Sequence, residues 1–265
     1  MSKTLLSPRI QDATTHALRK VPEVTIYFWI VKLLTTAMGE STSDYLVYHI
    51  DPYIAVALGG IGLLASLVLQ FAVRRYVPWI YWLAVVMVAI FGTMAADVIH
   101  VVLGIPYLVS TVFFLLVLAI IFSAWYASER TLSIHSITTR RRELFYWAAV
   151  MATFALGTAA GDLTAATLNL GYFSSGLLFA VLFAAPGLAR WLLGLNGIVA
   201  FWFAYIMTRP LGASFADWFG KSSLGGLGVG DAWVALVLTV LIVGFVAYLT
   251  VTSKDTKEDH YSSPS

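Results

Sequence analysis

One pattern recurs four times in this chain of 265 residues. A tryptophan preceded by a second aromatic residue stands at Phe28-Trp29, Tyr81-Trp82, Tyr146-Trp147 and Phe201-Trp202. Ten residues after each tryptophan comes a glycine: Gly39, Gly92, Gly157 and Gly212. Fifteen residues after it comes an aspartate: Asp44, Asp97, Asp162 and Asp217. The residue before the aspartate is always small (Ser43, Ala96, Gly161, Ala216). With only nine tryptophans and nine aspartates in the chain, four matched sets in one register are not coincidence. A fixed period means a repeated structural unit that buries its faces against its neighbours. The fold is therefore built from four copies of one unit.

That unit belongs in a bilayer. Hydrophobic side chains make up 60% of the chain and charged ones 11%, against about 45–50% and about 25% in soluble domains. Most of the charges sit in residues 1–20, 128–143 and 253–265, at Arg74 and Arg75, and at Arg190. Such a surface excludes a soluble enzyme, a nucleic-acid binder and a disordered chain. A membrane helix needs about 20 apolar residues, and eight stretches qualify: 22–46, 53–73, 79–103, 107–127, 144–168, 172–193, 197–218 and 231–251. The expected fold class is all-α: a polytopic membrane protein with eight transmembrane helices arranged as four parallel two-helix repeats. Residues 1–21 form an N-terminal tail and 252–265 a C-terminal one. Between them lies a single membrane domain, 22–251, with repeats at 22–73, 79–127, 144–193 and 197–251. The first twenty residues are polar and mixed in charge, which argues against a cleaved signal peptide. The absence of cysteine excludes disulfides, thiolate metal sites and cysteine nucleophiles.

The loops set an orientation. Of 16 Lys and Arg residues, 13 fall on the side that holds both termini, Lys221 alone falls on the other, and Lys32 and Arg209 lie inside spans. The positive-inside rule then predicts a multi-pass protein with both termini cytoplasmic.

The four-copy pattern, the opening segment PEVTIYFWIVKLLTTAMGESTSD and the segment TRPLGASFADW at 208–218 resemble a family of bacterial inner-membrane proteins. That family is built of four tandem copies of a "repeat of unknown function", each with two transmembrane segments and a characteristic tryptophan. The resemblance covers about residues 22–251. It implies the fold and the bacterial inner membrane, and it supplies no catalytic residues.

Because each unit contains two spans, successive units enter the membrane in the same direction and can surround an axis along the membrane normal. Either a pseudo-symmetric ring or a pair of four-helix halves brings the first helices of the repeats together and sets their aspartates at one depth, about 22 Å along the helix from the tryptophan. A carboxylate inside a membrane costs about 2.5–3.5 kcal/mol on insertion scales and defaults to a functional reading. Asp44, Asp97, Asp162, Asp217 and Glu40 are thus candidate ligands for a cation; hard oxygens suit Mg²⁺, Mn²⁺, Ca²⁺ or protons. The alternative is that each aspartate fixes a helix end, strongest for Asp44 and Asp217, which fall near predicted interfaces, with Asp97 deeper.

Other polar positions have two readings each. Lys32, Thr36, Glu40 and Asp44 fall on one helical face, as do Arg209, Ala213 and Asp217. Lys32 and Arg209 are read as partners of the buried acids or as gates: Lys32 with Glu40 or Asp44, Arg209 with Asp217 or across to Glu40. Pro210 removes a backbone donor, predicting a kink in mid-membrane. Gly39, Gly92, Gly157 and Gly212 are read as sites of close helix contact, and the aromatic–Trp pairs as interfacial anchors. His100, one turn past Asp97, is a ligand, a relay or simply a hydrogen-bonded ring. Gly220-Lys221-Ser222 is a decoy for a phosphate loop, because no strand precedes it. The 128–143 and 252–265 segments read as solvated linkers.

These residues predict a transporter or channel for a small cation, a divalent metal exporter or a proton-coupled carrier. The alternative is a non-transporting membrane scaffold or accessory subunit in which the aspartates are structural. No nucleophile–base pair or zinc motif points to an enzyme, no cofactor is implied, and no nucleic acid is a partner. Lipid surrounds the chain. A homo-oligomer is compatible with eight helices but not required.

Overall fold

The structure, a computed structural model, describes residues 19–256. Eight long helices account for most of them: α1 (Ile26–His49), α2 (Pro52–Ala72), α3 (Pro78–Asp97), α4 (Tyr107–Glu129), α5 (Arg140–Asp162), α6 (Gly171–Leu193), α7 (Gly197–Gly220) and α8 (Asp231–Thr252). Local chemistry sets their ends. Asp51 accepts from the backbone N–H of Tyr53 at 2.9 Å to start α2, and Asn196 accepts from Ile198 at 2.9 Å to start α7. Left-handed residues stop α4 at Arg130 and α6 at Gly194. Both α3 and α5 run on past their aspartates into one turn of π-helix, Val98–Val102 and Leu163–Thr167.

Four helices form an inner ring. α1 packs on α3, α3 on α5, α5 on α7 and α7 back on α1. The other four lie outside, and each packs mainly on the inner helix of the next repeat: α2 on α3, α4 on α5, α6 on α7, and α8 on α1. The first and last repeats thereby lock together, so the tandem array closes into a circle with no exposed end. The chain is a multi-pass membrane protein. Seven helices are long and apolar enough to cross a bilayer. The exception is α1, which has 24 residues but carries Lys32, Glu40 and Asp44. Its polar residues face inward, shielded by α3, α7 and α8, so the protein and not the lipid solvates them.

The ring is built in layers that follow the repeat. At the tryptophan end, the aromatic residue of each repeat meets the tryptophan of the next. Ring centroids lie 5.8 Å apart for Phe28–Trp82, 5.6 Å for Tyr81–Trp147, 6.2 Å for Tyr146–Trp202 and 5.7 Å for Phe201–Trp29. The Tyr81 and Tyr146 hydroxyls are 2.5 Å apart within this layer. These residues are not interfacial anchors as the sequence suggested. Trp82, Trp147 and Trp202 are buried, because a ring of four helices leaves a central space that only large flat side chains fill. Trp29 alone remains half-buried.

One layer further on, each repeat glycine touches the next inner helix. A methyl group on Gly39 would strike Ala89; on Gly92, Phe154; on Gly157, Arg209; on Gly212, Thr36. All four struck residues stand seven positions after their repeat's tryptophan. The glycines therefore set the ring's diameter. At the tryptophan end the connecting segments, as far as residue 256, are knitted together rather than solvated; 257–265 of the C-terminal tail lie outside the described residues. Lys20 pairs with buried Glu143, which also accepts from Gln70 at 3.0 Å. The Lys20 amide donates to the Ile137 carbonyl at 3.1 Å, Glu23 to Asp255 at 2.9 Å, and Tyr76 bonds Asp255 through its hydroxyl.

Candidate functional site

Glu40 and the four repeat aspartates occupy the half of the ring beyond the glycines. Arg209 lies across its middle, fully buried. Its stem passes over Gly157, where only glycine leaves room. Its guanidinium pairs with Glu40 and donates to Thr93 Oγ1, to Thr158 Oγ1 at 2.8 Å and to the Thr36 carbonyl at 3.2 Å. Glu40, Thr93 and Thr158 all stand eleven positions after their tryptophans. One layer of the repeat thus converges on a single cation, which α7 supplies. α7 runs as helix through Pro210, and the carbonyl of Ile206 has no amide partner there. The pairing of Arg209 across to Glu40 is one of the two the sequence offered.

Lys32 does not behave as the sequence suggested. Its ammonium makes no hydrogen bond and no carboxylate lies within ion-pair distance among the described residues. It sits instead between the faces of Phe154, 3.9 Å from the ring centroid, and Tyr205, at 4.2 Å. The reason is position. Lys32 stands two helical turns before Glu40 on α1, and Arg209 fills the space between and takes that carboxylate first.

Beyond Arg209 the acids gather. Oxygens of Glu40, Asp44 and Asp217 lie within 4.8 Å of one another. Lys221 bridges two of them, with its ammonium 2.8 Å from Asp44 Oδ2 and 2.8 Å from Asp217 Oδ1, and 5.7 Å from the Tyr172 ring. Burial works to pull the Lys221 ammonium down, but Asp217, Asp44 and Glu40 hold it well above the ordinary lysine range, so it stays charged. Asp97 and Asp162 are within electrostatic reach of Glu40, Asp44 and Lys221 without joining the tight group. Within the protein, Asp44 and Asp217 are buried, whereas Asp97 and Asp162 are half-buried. The π-turns that follow Asp97 and Asp162 coincide with this difference, a feature frequent at functional sites.

Lys221 is the residue the sequence reading passed over. It stands at the start of the glycine-rich segment 221–230, which folds back on the end of α7. The Leu227 amide donates to the Trp218 carbonyl at 2.7 Å and that of Val229 to Phe219 at 2.9 Å. Gly225 and Gly228 adopt positive φ of 81° and 70°, which explains the glycines as a tight return and not a phosphate loop. The available signal was that Lys221 is the one basic residue on a side otherwise rich in acid. His100 does not reach the cluster: its Nδ1 lies 3.2 Å from the Ile105 carbonyl and 3.3 Å from Ser110 Oγ.

The arrangement defines a class: a membrane protein of four two-helix repeats closed into a ring, with an acidic site at one end of its axis. The sequence matches the family described as Repeat of Unknown Function four times, over residues 27–76, 80–131, 145–194 and 200–255, and the chain belongs to that family. No curated protein and no solved structure is significantly similar to it.

Proposed function

We propose that this protein carries a small cation, a divalent metal ion or a proton, through the acidic end of its ring, and that it is not an enzyme. One observation supports this above all. Six carboxylates (Glu40, Asp44, Asp97, Asp162, Asp217 and Asp231) gather at that end against two cations, Arg209 and Lys221. Each uncompensated buried charge costs several kcal/mol, so the excess is neutralised by bound cations or protons. Oxygen-only donors favour hard ions. Asp97 and Asp162, half-buried and without an ion pair among the described residues, are the groups best placed to receive an ion from the aqueous side, and Lys221 is the tethered cation it would displace. This reading puts the protein in the bacterial inner membrane with both termini cytoplasmic, supported by the skew of Lys and Arg toward the tryptophan end.

The second reading, a scaffold or accessory subunit, is supported by the closed aromatic layer, which blocks the axis at the tryptophan end. A carrier must open that layer; a scaffold need not. Total cellular metal, measured by mass spectrometry across a panel of added cations, separates the two. Cells overproducing the wild type are expected to gain or lose one metal, and Asp97→Asn and Asp162→Asn are expected to erase the change at equal expression. If both variants match the wild type in an observed change, the carboxylates do not carry it. A flat panel removes metals and leaves protons or the scaffold.

A further inference from the structure

The four repeat tryptophans are not equivalent in their surroundings. The Trp202 indole N–H donates to the carbonyl of Leu132, at 2.8 Å, in the segment joining α4 to α5. The corresponding join for Trp29, two repeats back around the ring, is the α6–α7 segment, residues 194–196. Three residues cannot reach over an indole as the longer segment does. Trp29 therefore lines a cavity of about 740 Å³, and its N–H makes no hydrogen bond among the described residues.

The cavity has two chemical halves. Trp29, Phe183 and Phe201 form an apolar wall. At the rim, Arg190 is exposed and makes no ion pair with any described residue. Its guanidinium lies over Gly197, where a methyl group would strike it. It thus sits at the N-terminus of α7, whose dipole also favours an anion. Asn196 and His135 complete the rim; His135 approaches Glu23 at 3.6 Å and Arg19 at 3.3 Å. Beside Arg190, Trp191, Leu192 and Leu193 are 80%, 60% and 82% exposed. An exposed Trp–Leu–Leu next to a lone arginine marks the boundary between hydrocarbon and headgroups.

We propose that this cavity binds an anionic phospholipid, with the phosphate on Arg190 and the α7 N-terminus and an acyl chain against Trp29 and Phe183. The volume suits part of such a molecule. The chemistry at the rim would serve any phosphate, but the apolar wall and the apolar surface beside it favour one that carries a tail. The site is distinct from the acidic end and does not depend on the transport reading.

Native mass spectrometry of the detergent-purified protein tests it. Phosphatidylglycerol, phosphatidylcholine with the same chains and inorganic phosphate are titrated separately. The wild type is expected to retain one phosphatidylglycerol under conditions that strip phosphatidylcholine and phosphate. Arg190→Gln should weaken that retention about tenfold, the loss of one charge-assisted contact. Gly187→Trp should weaken it similarly by filling the cavity, since open space surrounds Gly187, while Gly187→Ser should retain lipid as the wild type does. Both altered residues lie outside the packed core, and unchanged elution on gel filtration confirms folding. Equal retention of the two lipids, or no loss in Arg190→Gln and Gly187→Trp, overturns the proposal. Binding of inorganic phosphate as tight as phosphatidylglycerol assigns the site to a soluble anion and overturns it too.

Discussion

At the scale of single residues, the decisive contacts are those of the two cations. The Arg209 guanidinium is held through its two terminal nitrogens by a carboxylate, two hydroxyls and a backbone carbonyl drawn from three other helices. It therefore ties the ring together as well as closing it. Removing one partner of a buried pair costs about 3–5 kcal/mol, because the other charge is left uncompensated. Glu40→Gln is accordingly expected to lower the thermal midpoint of the purified protein strongly. The double variant Glu40→Gln with Arg209→Met should recover part of that loss, since it removes both charges. A double variant as unstable as the sum of the singles contradicts the pairing. Residue identities made Arg209–Glu40 legible in the sequence, because a buried charge must find its opposite. Lys32 shows the limit of that rule: its answer came from two aromatic faces on α5 and α7, which no spacing along α1 encodes. Lys221 was hidden for a related reason, since its role depends on a loop folding back toward α1.

At the scale of elements, the spacing of tryptophan, glycine and aspartate states the construction of the inner ring. The tryptophan and its aromatic neighbour fill the axis, the glycine sets the approach, and the aspartate faces the open end. A closed ring of four such helices, inserted in parallel, satisfies all three layers at once. The glycine contacts make a graded prediction. Gly157→Ala and Gly212→Ala place a methyl group against Arg209 and Thr36, and overpacking of this kind costs about 1–3 kcal/mol. Gly244→Ala on outer helix α8 meets nothing and is expected to leave stability unchanged or slightly raised. Thermal unfolding followed by tryptophan fluorescence compares the three; an equal effect at Gly244 and Gly157 would contradict the layer description. Placement of the outer helices was not legible, since their apolar faces carry no register. The sequence pairs α1 with α2 as a repeat, yet α2 packs chiefly on α3. The aromatic pairs were misread for the same kind of reason, because interface and axis both favour tryptophan and only closure of the ring distinguishes them.

At the scale of the whole molecule, closure and charge are one problem. A tandem array ends in exposed faces unless its ends meet, and here α8 covers α1, the one of the eight long helices not apolar enough to cross a bilayer by composition. The circle lets four repeats of mostly apolar helix hold an acidic centre away from lipid, at the cost of gathering more carboxylates than the chain neutralises. That imbalance is the source of the proposed cation binding, and it is tested most directly by equilibrium titration. Isothermal calorimetry of Mn²⁺, Mg²⁺ and Ca²⁺ into the purified protein, in buffers of different protonation enthalpy, reads ion binding and proton release together. The account predicts binding of one cation species, or proton exchange at the same site, in the wild type, and its loss in the Asp97→Asn/Asp162→Asn double variant with folding intact. A wild type that takes up neither cation nor proton, or a double variant that binds as the wild type does, contradicts it.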